Sequence, residues 1–305
     1  MNVRPNSFNA WMVATRPRSL LLAISPVLVG ASLGYLRTGA LNAVLALLVL
    51  GAALLMQLIT NLQNDVGYTL RGGEASGTRT GLPRATSSGL LAVQTVRVAI
   101  VVLSLLAVGV GLALVAIRGW PVLAIGTASL LAALAYMGGP RPIAYTPWGE
   151  LTVFVFFGLV AVTGTDWVLT GSIDRVTLLA AFALGCIAAA ALAVNNHRDR
   201  EHDARVGRAT FAVMFGEHAS QQLFGLLLLL PMLCPWGMAI LASTPWLLLP
   251  CVLAPMVWRL HRDFVACPPG FAFNAILFRA FQLALWFAGL LSLGALLSAQ
   301  RHAGV

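Results

Sequence analysis

Apolar runs long enough to cross a lipid bilayer leave this chain few possible folds. A transmembrane helix needs about 20 predominantly apolar residues. Qualifying runs cover roughly residues 19–36, 42–63, 92–117, 120–137, 150–171, 176–195, 218–241, 245–261 and 273–298. The seventh is interrupted by Pro231 and Pro235, which membrane helices accommodate as kinks. No segment sustains the period-two alternation of a strand. The expected fold is an all-α membrane protein of about nine transmembrane helices. Composition agrees: of 305 residues, 59% are hydrophobic and 10% charged, with a mean hydropathy of +0.87. A soluble protein of this length has too little interior to hide so much apolar surface.

The net charge is +9, and every one of the 19 basic residues is arginine. A strongly basic chain suggests nucleic acid, but here the arginines are spread over short loops. Membrane sorting explains them better, and no nucleic-acid partner is expected. With nine spans and the N-terminus in the cytosol, Arg4, Arg16, Arg18, Arg71, Arg79, Arg84, Arg141, Arg198, Arg200, Arg205, Arg208, Arg259 and Arg262 fall inside. Arg37, Arg118, Arg175 and Arg301 fall outside. This asymmetry places the polar loops after the second and sixth runs in the cytosol. The four cysteines, 186, 234, 251 and 267, form no CxxC pair and suggest neither a zinc site nor a disulfide framework,. No cleavable signal peptide is evident, because the first apolar run is long enough to span,.

Two clusters break the apolar pattern: Asn61-Leu62-Gln63-Asn64-Asp65, and Asn195 to Asp203. In each, an Asn precedes an Asp by four residues, and the second adds Asp203 four further on. That spacing places side chains on one helix face. Carboxylates at the end of a membrane helix are costly and need a cation or a function. Asp65, Asp199, Asp203, Asn61 and Asn195 offer hard oxygen ligands, which suit Mg²⁺ sharing its shell with substrate phosphates. Arg71, Arg79, Arg84, Arg198, Arg205 and Arg208 occupy the same two loops, and arginine forks bind phosphate. One reading is a magnesium–diphosphate site; the other is a set of solvated loop ion pairs with topological arginines. The parts before and after about residue 140 share a loose pattern of helix, Asn/Asp cluster, Arg loop and helix, within one polytopic domain of residues 1–305.

At these motifs the chain resembles the UbiA superfamily of intramembrane aromatic prenyltransferases, most closely its 1,4-dihydroxy-2-naphthoate (menaquinone) branch. The first Asp-rich motif and its loop are matched by NLQNDVGYTLRGGEASGTRTGLPR, residues 61–84, and the second by NNHRDREHDARVGRATFA, residues 195–212. WMVATRPRSL, residues 11–20, and AYMGGPRPIAYTPWGELTVFVFFGLVAVTG, residues 135–164, also point to that branch. The resemblance implies helices surrounding a central cavity. It implies Mg²⁺-dependent transfer of a polyprenyl group from polyprenyl diphosphate to a dihydroxyaromatic acid, with loss of diphosphate and CO₂.

On the same resemblance, Asn61, Asp65, Asn195, Asp199 and Asp203 take metal–diphosphate positions, and Glu74 stands where the family usually has Asp. Arg71, Arg79, Arg84, Arg198 and Arg208 are expected at the diphosphate. Tyr68, Tyr136, Tyr145 and Glu150 are candidates for holding the aromatic acceptor, though membrane-interface anchoring accounts equally for tyrosines at 136 and 145. The chain departs from the pattern at Tyr68, where a second acid is usual, and at Arg279, where a small or hydroxyl residue is expected. Two other functions compete: prenylation of another ring such as 4-hydroxybenzoate, and a non-catalytic transporter or lipid-binding protein. Transporters place ionisable groups near the bilayer midplane. The acids here sit at helix ends on one side, which favours an enzyme of the bacterial cytoplasmic membrane.

Overall fold

The computed structural model describes residues 3–73 and 80–303. Regular structure among them is entirely helical. Helix α1, Phe8–Thr15, leads through a 3-10 turn at Pro17–Leu20 into α2, Leu21–Thr38. Then follow α3, Ala43–Leu70; α4, Val93–Arg118; and α5, Trp120–Ala135. The next span is composite: α6, Gly149–Val153, a π-helical stretch at Phe154–Val160, and α7, Ala161–Thr170. The second half contains α8, Arg175–Arg198; α9, Arg200–Arg205; α10, Phe211–Leu241; α11, Ala254–Ala266; and α12, Phe273–Ala303.

Capping side chains set the starts of three of the long helices. Asn42, Asp174 and Thr210 accept the backbone N–H groups of Leu45, Thr177 and Val213, closing the first turns of α3, α8 and α10,. Among the described residues, seven helical stretches are long and apolar enough to cross a membrane. The remaining two apolar runs give shorter elements. α5 has 16 residues, and residues 245–253 form a 3-10 helix that leads into α11. Pro245, Pro250 and Pro255 explain the latter, since proline removes backbone donors from a continuing α-helix,.

Helix α8 is the most buried span, packed against α10, α12 and the π-helical stretch. Its alanine run Ala188–Ala191 lets neighbouring backbones come close, as small residues do in membrane bundles,. Gly158 meets Gly185 here: a Cβ on Gly158 would lie 2.3 Å from the Gly185 Cα. On α4, by contrast, Val101, Leu105 and Leu112 are exposed, as a lipid-facing surface requires.

Charged groups gather at the two ends of the bundle. At one end Arg37 pairs with the buried Asp166 at 2.7 Å, and Thr177 donates to the same carboxylate at 2.8 Å. At the other end lie the C-terminal turns of α3 and α8, all of α9, and the loops around residues 80–92 and 136–149.

Candidate active site

The last turns of α3 bring Tyr68 against α9 and the loop after it. Arg208 Nη1 donates to Asp203 Oδ1 at 2.7 Å and to the Tyr68 hydroxyl. Arg208 Nε donates to the Ala144 carbonyl at 3.0 Å. The Tyr68 hydroxyl in turn donates to Asp203 Oδ1 at 3.3 Å. The Arg84 guanidinium lies over the Tyr68 ring, 4.4 Å from its centroid. Gly73 packs on the same ring so closely that a Cβ would fall 2.5 Å from Tyr68 Cδ1.

Burial pushes the Asp203 carboxyl above the usual carboxylate range, opposed by Arg208. Burial alone would lower Arg208, but Tyr68 and Asp203 hold it above its ordinary value, so it remains a cation. Asp203 is fully buried, and its Oδ2 has no hydrogen-bond partner.

The other expected site residues are placed as follows. Asp65 turns to the loop after α3: its oxygens accept from the Ala85 and Thr86 N–H groups, each at 2.8 Å, and from the Thr86 hydroxyl at 2.5 Å. Asn61 faces the N-terminal segment, donating to the Thr15 carbonyl at 2.7 Å and Ser19 Oγ at 2.9 Å. Asp199 is gripped by its neighbour Arg198 in a two-bond fork, both bonds 2.8 Å, while Arg198 Nη1 reaches Asn274 Oδ1 at 2.8 Å.

Glu150 Oε1 accepts from Asn196 at 2.8 Å, and its Oε2 is buried without a partner. Arg71 donates to the Gly139 carbonyl and lies over the Tyr145 ring at 5.2 Å. Burial raises the Tyr145 phenol above its ordinary value, opposed by Arg208 and Arg71. Tyr136 and Asn195 line the cavity described below. Glu74 and Arg79 lie outside the described residues. Thus Tyr68, Arg84, Asp203 and Arg208 form one cluster with Tyr145 at its edge, whereas Asn61, Asp65 and Asp199 are engaged by separate partners.

An apolar cavity of about 970 Å³ adjoins this cluster through Tyr136, which lines it and packs with Tyr68; Tyr68, Arg84, Asp203 and Arg208 are not themselves in its wall. Phe156, Phe157 and Phe281 contribute to its wall. Its polar lining includes one face of α3, where Gln57, Asn61 and Asn64 follow at helical spacing, with Arg16, Arg18 and Ser19 ahead of α2 and Asn195 on α8,. Sequence reasoning missed Gln57 and Asn64 as contributors. The signal for Gln57 was its position four residues before Asn61, extending the Asn–Asp register one turn into the apolar run. Asn64 Oδ1 is buried without a partner. Like Asp203 Oδ2 and Glu150 Oε2, it is a hard oxygen of the kind a small divalent cation prefers,. Among the described residues, no three His, Cys, Asp or Glu side chains converge as a ready-made metal cage.

The model of the UbiA prenyltransferase family matches residues 23–285, well over half of the chain. The chain belongs to this family. The 1,4-dihydroxy-2-naphthoate octaprenyltransferase of Mycobacterium tuberculosis is 35% identical over 260 residues, covering 83% of this chain and 85% of that protein. The enzyme of the same name from Haemophilus influenzae is 30% identical over 264 residues, covering 84% and 85%.

Among solved structures, the UbiA homolog of Aeropyrum pernix K1 aligns with a TM-score of 0.68 at 15% identity, covering 91% of this chain and 97% of that one. The UbiA homolog of Archaeoglobus fulgidus bound to DMAPP and Mg²⁺ aligns with a TM-score of 0.64 at 13% identity, covering 92% and 99%. These two likenesses establish the fold of this UbiA family member as a multi-pass helical membrane protein. Its cavity, flanked by the two Asp-bearing segments, is the candidate active site.

Proposed function

We propose that this UbiA family protein is an aromatic polyprenyltransferase that joins a polyprenyl group to 1,4-dihydroxy-2-naphthoate, releasing diphosphate and CO₂. The observation that carries the reading is the meeting of Asp203, Tyr68, Arg208 and Arg84 beside a cavity with apolar walls. Its near relatives bear the name of that reaction.

The chemistry divides along the cavity. Arg84 and Arg208 suit the diphosphate, because guanidinium groups bind phosphate oxygens through paired bonds. Held in a site shielded from water, they stabilise the negative charge that develops on the leaving group. Asp203, Asn64 and Glu150 each have a buried oxygen without a hydrogen-bond partner, and of these Asp203 and Asn64, in the two Asp-rich motifs, would hold Mg²⁺. Few protein carboxylates are available to it, so substrate phosphate would complete its shell, as Mg²⁺ commonly requires. When bound, Mg²⁺ supplies Lewis-acid neutralisation of the diphosphate. The apolar walls hold the isoprenoid tail and keep water from the allylic cation. Tyr136, in the cavity wall, would orient the electron-rich ring for attack on the cation carbon, with Tyr145 and Glu150 as its supporting polar groups.

The arginine asymmetry supports a site on the cytosolic face of the bacterial cytoplasmic membrane. The test uses the purified full-length protein in lipid nanodiscs with a polyprenyl diphosphate, Mg²⁺ and either 1,4-dihydroxy-2-naphthoate or 4-hydroxybenzoate. The expected product comes from the naphthoate and has lost its carboxylate. A product only from 4-hydroxybenzoate, or one retaining the carboxylate, overturns the acceptor assignment.

A further inference from the structure

Gln57 lies on the cavity face of α3, one turn deeper than Asn61, and is only 5% exposed. Its amide belongs to a buried network whose orientation is fixed by backbone groups. The Thr15 carbonyl can only accept, so the Asn61 atom 2.7 Å from it is Nδ2. Asn61 Oδ1 is then an acceptor, and the Gln57 atom 3.2 Å from it must be the donor Nε2. Ser19 agrees independently. Its hydroxyl donates to the Arg16 carbonyl at 2.9 Å. It therefore accepts from both amides, Asn61 at 2.9 Å and Gln57 at 3.1 Å.

Neither amide can be reversed without setting two acceptors against each other. Gln57 Oε1 is consequently the atom left out of the network, and it is buried without a partner. A buried carbonyl oxygen in this state forgoes the hydrogen bond it would make in water.

We infer that Gln57 Oε1 is the docking point for a phenolic hydroxyl of the aromatic acceptor, making Gln57 a specificity-determining residue. The inference rests on the aromatic-acceptor reading given above. The two substrates differ in what they offer this atom. An isoprenoid chain has no donor. A diphosphate presents acceptors and negative charge, which a carbonyl oxygen repels. A phenol presents an O–H, the complement of a fixed acceptor on the cavity's polar side. Ser19 and Asn61 hold the amide by its nitrogen, so its oxygen meets the ring with little orientation left to lose.

The test measures coupling between Gln57 and one substrate hydroxyl. Full-length wild type and Gln57→Met, in nanodiscs, are compared in KM for both substrates. Inhibition constants are measured for 1-hydroxy-2-naphthoate and 4-hydroxy-2-naphthoate, each lacking one hydroxyl. Gln57→Met is expected to raise the KM for the dihydroxy acceptor about 10- to 100-fold and to leave that for the prenyl diphosphate unchanged. Loss of the hydroxyl that meets Gln57 should weaken binding to wild type by a similar factor and to Gln57→Met hardly at all. Gln57→Asn, which draws the oxygen back by one methylene, is read the same way if Gln57→Met does not accumulate.

Ser19→Ala loosens the same network but keeps the oxygen, so the hydroxyl preference should survive in it. Equal penalties for hydroxyl removal in wild type and variant overturn the inference and assign the oxygen to water. If wild type transfers to a different phenolic acid, the naphthoate assignment falls. The coupling is then measured with that acid and its deoxy analogue, and decides the role of Gln57 separately.

Discussion

Tyr68 and Asp203, 135 residues apart in the chain, meet at 3.3 Å with the phenol as donor and Asp203 Oδ1 as acceptor. Arg208 Nη1 bonds to both. Arg208 is already paired with the Asp203 carboxylate, so a second carboxylate here would leave the group net negative, whereas a phenol adds a hydrogen bond and no charge. Tyr68 thus restrains Arg208 without adding negative charge to the site. Tyr68→Phe keeps the ring under Arg84 but frees Arg208 from one restraint. We expect the KM for the prenyl diphosphate to rise about tenfold, in line with one lost hydrogen bond to a charged group. The KM for the aromatic acceptor should change little. Steady-state rates with each substrate varied in turn check this.

The two acids of the second motif should fail in different ways. Asp203 has an unpartnered oxygen, so Asp203→Asn should raise the Mg²⁺ concentration for half-maximal rate and cut turnover by about 100-fold or more. Asp199 is committed to Arg198, which is itself buried. Asp199→Asn leaves that guanidinium without its counter-ion, at a cost of about 3–5 kcal/mol. Its main signature should be a lower unfolding temperature in detergent. A Mg²⁺ titration beside a thermal melt separates the two. Identical behaviour of both variants would refute the division of labour.

The membrane class, the long helices and the two Asp-bearing helix ends were all legible in the sequence, because apolar length and four-residue spacing are local properties. Partner choice was not. Helical spacing placed Asn61 and Asp65 on one face, yet Asn61 turns to Thr15 and Ser19 while Asp65 turns to Ala85 and Thr86. Those partners are mostly backbone groups, which every residue type carries, so no side-chain pattern announces them. Adjacent residues on a helix do not face each other, and the Arg198–Asp199 fork was equally hidden. It forms because α8 stops at Arg198 and Asp199 has left helical geometry. Gln57 was overlooked because its four-residue register with Asn61 does not by itself show which groups the amide meets in space.

Asp65 gives a stability prediction distinct from metal binding. It anchors the loop following α3 through three hydrogen bonds from Ala85 and Thr86. Asp65→Ala removes all three and should release residues 84–91. Amide hydrogen exchange of Ala85 and Thr86 should then accelerate strongly while that of α8 stays slow. Activity should fall as well, since Arg84 reaches the Tyr68 ring from this loop. Unchanged exchange at Ala85 and Thr86 would show that the loop is held by other contacts.

Orientation in the membrane provides the last test. Ser87 and Ala204 are exposed at the end that carries Asp203 and Arg208, and Ser172 is exposed at the opposite end beside Arg37 and Asp166. The positive-inside rule puts the first two in the cytosol and Ser172 outside. Single cysteines at these positions, in a chain with Cys186, Cys234, Cys251 and Cys267 replaced, report the side directly. In intact cells an impermeant thiol reagent should label only Ser172→Cys. After lysis Ser87→Cys and Ala204→Cys should react too. Labelling of the latter pair before lysis would invert the orientation and move the diphosphate-binding end to the outer face, away from the cytosolic supply of prenyl diphosphate on which the proposed reaction depends.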